Sequence, residues 1–85
     1  MVGGRIRQLL TDAKSHAEVG DMLLASQLYT KATEIEPNNA AAWYGLGVVQ
    51  TAMGFPDYSR LAFEKANILD PEHAPTAANL SLIHI

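Results

Sequence analysis

The chain has 85 residues, 48% of them apolar and 18% charged, and carries a formal net charge of −3. A chain of this length forms one domain, and its apolar share suits a packed core; disordered chains bury too little to offset the entropy of ordering. The basic residues Arg5, Arg7, Lys14, Lys31, Arg60 and Lys65 stand scattered, so no basic face for nucleic acid is expected, and the absence of cysteine excludes disulfides, thiolate metal sites and thiol catalysis.

The flexible start Met1-Val2-Gly3-Gly4 leads through Arg5 and Arg7 to the apolar pair Leu9-Leu10, which gives way to Thr11 and Asp12. That run is too short for a signal peptide or a membrane span. No membrane partner is expected, and any export signal would lie outside this sequence. The compartment stays undetermined, with the cytoplasm as the leading expectation.

Glycines and prolines divide the remainder into helix-sized segments without strand signals. The first, over 4–19, places Leu9, Ala13 and His16 at helical spacing before Gly20, a residue suited to a left-handed stop. The second, over 21–36, sets Leu24, Leu28, Ala32 and Ile35 on one stripe and ends before Pro37. The third, over 40–53, follows Asn38-Asn39, where an asparagine can cap the helix start, and stops at Gly54. The fourth, over 56–69, opens on Pro56 and closes before Pro71; the fifth, over 74–85, carries an early Pro75. The expectation is an all-α chain of five helices.

An internal repeat dominates the pattern. Gly20 and Gly54, Ala32 and Ala66, Pro37 and Pro71, and Lys31 and Lys65 are each 34 residues apart (54 minus 20, and so on). Tyr29 with Phe63, Ile35 with Leu69 and Glu36 with Asp70 keep the same offset with like chemistry. A period in this range marks stacked helical hairpins, none able to bury its apolar face alone. Small residues supply the points of close helix approach: Ala13 against Ala25 and Ala32, and Gly47 against Ser59 and Ala66. Glycine inside a helix costs about 1 kcal/mol relative to alanine, so Gly45 and Gly47 point to close packing.

Trp43, Leu46, Gly47, Gly54, Phe63, Ala66 and Pro71, taken together, resemble the tetratricopeptide repeat. The resemblance covers 6–39, 40–73 and a partial third unit or capping helix over 74–85, within a single domain spanning 1–85. Ser59 stands where the family prefers alanine. Asp12 replaces the leucine that Leu46 supplies in the next unit, which implies looser packing of the first helix. The resemblance implies a right-handed α-solenoid fragment of helical hairpins acting as a protein-interaction scaffold, without cofactor or catalysis.

Ala41, Tyr44, Val48 and Thr51 form one stripe on the third helix, away from Trp43 and Gly47. In the family the equivalent stripe lines a concave groove, which implies Arg7, Leu10 and Lys14 as matching residues on the first helix and Ala78 and Leu82 on the last. A groove with an apolar middle and a basic N-terminal end suits a partner helix or peptide with an acidic end. Lys14, Gly45, Pro75 and Asn79 occupy places comparable with those of a carboxylate clamp found in one subgroup, but the basic pair on the last helix is missing, so no chaperone-tail clamp is expected.

Catalytic and metal chemistry find little support. Asp12 and His16 could share one helical face, but two groups do not hold a metal, and a structural or surface role fits His16 better. His73 reads as a helix-start residue and His84 as a tail residue. Ser15, Ser26, Ser59 and Ser81 lie within helices, away from any strand-to-helix elbow. Trp43 reads as core packing rather than a ligand-stacking ring. The alternative function is self-association: Leu80, Leu82, Ile83 and Ile85 give the last helix an apolar end, suited to a homo-oligomer or to continuation in a longer solenoid.

Overall fold

The computed structural model describes residues 2–71, with side chains from Arg5 onward. Within them the chain is all-α, with four helices: α1 (Val2–Glu18), α2 (Met22–Ile35), α3 (Ala40–Ala52) and α4 (Pro56–Leu69). The fifth helix expected over 74–85 lies outside the described residues.

The turns inside the two hairpins are built alike. At the end of α1, Gly20 has φ +90°, and the Asp21 and Gly20 amides donate to the His16 and Ala17 carbonyls at 2.8 and 3.1 Å. At the end of α3, Gly54 has φ +85°, and the Phe55 and Gly54 amides donate to Gln50 and Thr51 at 2.9 and 3.1 Å. Each turn is the left-handed stop that satisfies the last carbonyls of a helix, and glycine adopts it without steric cost.

Helix starts differ in chemistry. The Asp21 carboxylate accepts from the Leu24 amide at 3.4 Å, and the Asn39 side-chain carbonyl accepts from the Ala42 amide at 3.2 Å. Asn39, rather than Asn38, therefore caps α3. Helix α4 lacks a side-chain cap and begins on Pro56, whose missing N–H would have had no helical partner. Glu36 and Asp70 are the C-caps of α2 and α4, each immediately before a proline that disfavours helical geometry in its predecessor.

Each helix packs on its neighbour in the chain, and α1 and α3 touch only lightly. Helix α2 thus lies between α1 and α3. Its buried residues are Ala25, Tyr29, Ala32 and Thr33, while Leu24 and Leu28 are only half-buried. Of the expected stripe, Ala32 is buried and Leu28 and Ile35 pack against the core, while full burial extends to Ala25 and Tyr29 beside it because a helix covered from two sides buries a wide arc. Ala13 meets the core beside Ala25 as expected, but Ala32 belongs to a second cluster with Ile6 and Ala42.

Gly45 and Gly47 each accommodate a ring. A Cβ added at Gly45 would stand 2.2 Å from the nearest Tyr29 ring carbon, and one at Gly47 would stand 2.7 Å from Phe63. Tyr29 and Phe63 occupy equivalent places in the two units, yet use different glycines. Trp43 is half-buried against the core and donates its indole N–H to the Pro37 carbonyl at 2.8 Å.

Candidate functional site

Among the described residues a concavity lies between α1 and α3, with α2 beneath it, and has a volume of about 510 Å³. Leu10 and Lys14 contribute from α1, and Ala41, Tyr44 and Val48 from α3. Their spacings of three and four residues align them on one face of each helix. Tyr29 lines the same space from α2, set against Gly45, so a single glycine admits the ring beneath the groove.

The groove is apolar with one charged wall. Val48 remains 44% exposed although it is aliphatic. Tyr44 is half-buried, its ring centroid 5.5 Å from that of Phe63 at an interplanar angle of 49°. On α1, Lys14 and Glu18 lie one turn apart and both border the cavity. Burial raises the Tyr29 phenol above its ordinary pKa of 10.0, and the nearby Glu18 carboxylate raises it further.

Five of the expected groove residues therefore meet: Leu10, Lys14, Ala41, Tyr44 and Val48. Arg7 is exposed and does not line the cavity. Thr51 is drawn toward α4, where its hydroxyl touches that of Ser59 and both lie within hydrogen-bonding distance of the Gly47 carbonyl, at 2.9 and 3.0 Å. Ala78 and Leu82 lie outside the described residues, as do Pro75 and Asn79. With Arg7 absent and Glu18 present, the charged end is mixed rather than basic.

Tyr29 and Glu18 were not among the expected residues, and each had a visible signal. Glu18 follows Lys14 by four residues and so shares its face. Gly45, mid-helix and without a local reason, marked the clearance that Tyr29 fills.

The His16 imidazole is 3.9 Å from the Asp21 carboxylate, whereas Asp12 accepts from the Gln8 amide at 2.9 Å, so Asp12 and His16 form no dyad. No group of three or more His, Cys, Asp or Glu that could hold a metal occurs among the described residues. His73 and His84 lie outside them. No helix among the described residues is long and apolar enough to cross a membrane.

Paired helices at a 34-residue period, stacked so that their first helices border an open groove, define a helical-repeat module. Residues 17–54 match a family model described as TPR repeat, a stretch that runs from the end of α1 through α2 and α3 to the Gly54 turn. That match supports assignment of this stretch to the tetratricopeptide-repeat family. No curated protein matches the chain. Repeats of this family generally mediate protein–protein interaction.

Proposed function

We propose that the chain is a protein-interaction scaffold that holds an amphipathic helix or extended peptide of a partner in the groove between α1 and α3. The observation that carries this reading is the open apolar trough in which Leu10, Tyr44 and Val48 surround the Tyr29 ring. Burial of a partner's apolar side chains supplies affinity at about 25 cal/mol per Å² before the costs of association are subtracted. Lys14 and Glu18 supply direction. A matching partner places an acidic residue beside Lys14 and a basic one a helical turn away, beside Glu18, while its apolar face meets Val48.

The test uses peptides selected from a random phage-displayed library on the intact protein, with affinities measured by calorimetry. Val48→Asp is the informative variant: its side chain is exposed, so folding is preserved, whereas Tyr44→Ala would also remove the packing on Phe63. The expected result is a loss of about 1–2 kcal/mol or more in peptide affinity at unchanged circular dichroism. Peptides that bind Val48→Asp and Lys14→Glu as tightly as the original chain would rule the groove out. A second reading, a self-association module of a larger protein, is favoured by the exposed apolar face of α4.

A further inference from the structure

Tyr29 and Phe63 hold the same place in successive units, so the repeat requires a ring there but not a hydroxyl. The two rings also stand differently. A Cβ on Gly47 would meet Phe63 along the side of its ring, at Cε1, Cδ1 and Cγ, whereas one on Gly45 would meet Tyr29 nearest at Cε1 and Cζ, the carbon that bears the hydroxyl. The tip of Tyr29 thus crosses α3 at Gly45, which itself borders the groove.

The hydroxyl delivered there has no use within the fold. Among the described residues it has no hydrogen-bond partner, and the fully buried side-chain atoms left without one belong to Gln50 and Asn67. The phenolic oxygen therefore keeps an opening, although the residue as a whole is only 8% exposed. Glu18 borders the same cavity, and its field reaches the phenol, adding to burial in raising the pKa. Glu18 forms no ion pair among the described residues, not even with Lys14 one turn earlier.

These two groups define what fits beside them. A partner's carboxylate would be repelled by Glu18, and an apolar side chain would strand both oxygens away from water. A cation satisfies both, donating to the Glu18 carboxylate and to the Tyr29 oxygen. Arginine suits the place better than lysine: its planar guanidinium carries five donors in a fixed fork and is less strongly hydrated than an ammonium. Its apolar stem finds Ala17 and Met22 lining the same cavity.

We propose that the Tyr29 hydroxyl and the Glu18 carboxylate form the specificity-determining end of the groove and hold an arginine side chain of the partner's helix or peptide. The proposal rests on the groove being the binding surface. It names the residue that the partner must carry, and it gives the hydroxyl of a core tyrosine a role that packing alone leaves unexplained.

Peptides selected on the intact protein from a random phage-displayed library, with affinities from calorimetry, provide the probe. They should share an arginine whose replacement by glutamine weakens binding about tenfold or more, and by lysine less. Tyr29→Phe keeps the ring and its packing on Gly45, and should weaken the arginine peptide about tenfold. Glu18→Gln should weaken it roughly fivefold, by an amount that shrinks with added salt. On either variant, the exchange of arginine for glutamine should cost correspondingly less than on the original chain. An equal cost on all three proteins overturns the proposal. So do selected peptides that require Val48 but share no arginine, or that carry aspartate or glutamate in its place, and these leave the groove itself standing. Peptides indifferent to Val48→Asp overturn both.

Discussion

Replacing Gly45 with alanine adds one methyl group where the Tyr29 ring already stands. The new Cβ would lie 2.2, 2.4 and 2.8 Å from three carbons of that ring, against a normal contact of about 3.5–4.0 Å. The ring must move by more than an ångström, yet it is buried on a helix held from both sides, so either Tyr29 leaves its rotamer or α2 and α3 separate. Overpacking of this kind costs about 1–3 kcal/mol, while alanine in place of a mid-helix glycine returns about 1 kcal/mol. Contacts this short place the cost at the upper end of that range, so the net expectation is a loss of about 2 kcal/mol, read from urea denaturation followed by circular dichroism. The sign reverses in a Tyr29→Val background. Valine lacks all three ring atoms that the methyl would meet, so Gly45→Ala should then stabilise the variant by up to about 1 kcal/mol. A neutral or stabilising Gly45→Ala in the otherwise unaltered chain would refute the assigned packing of Tyr29.

Two further outcomes follow from the same structure. Gly54→Ala meets no atom within 4 Å but forces an L-residue to φ +85°, so it should lower stability by about 1–2 kcal/mol through backbone strain alone, measurable as a shifted denaturation midpoint. The Tyr29 phenol has a raised folded-state pKa, mainly from burial and secondarily from Glu18, so the folded state holds this proton more tightly than the unfolded chain. Its contribution is complete below the unfolded value of 10.0 and is lost as pH climbs through the folded value; alkaline melting curves that are identical for Tyr29→Phe and the original chain would contradict this linkage.

Local chemistry was legible in the sequence. Gly20 and Gly54 marked their turns because a left-handed stop depends on one residue's own backbone, and Pro37 and Pro71 marked helix ends because a proline restrains the residue before it. The 34-residue offset was equally plain, since stacked hairpins demand like residues at like places. Helical spacing also grouped Tyr44 with Val48, because residues three and four apart share a helix face whatever lies opposite, whereas Leu10 and Lys14 entered through the family resemblance.

Tertiary packing decided the rest. Full burial on α2 reached past the expected stripe to Ala25 and Tyr29 because the helix is covered from two sides, which its own periodicity does not report. Thr51 left the groove because Ser59 and the Gly47 carbonyl on the α3–α4 seam capture its hydroxyl. The Tyr29 ring reached the groove through the missing side chain of Gly45, sixteen positions along the chain (45 minus 29). Spacing along one helix cannot encode such a contact, since it depends on how closely two separate helices approach and which side chains meet between them.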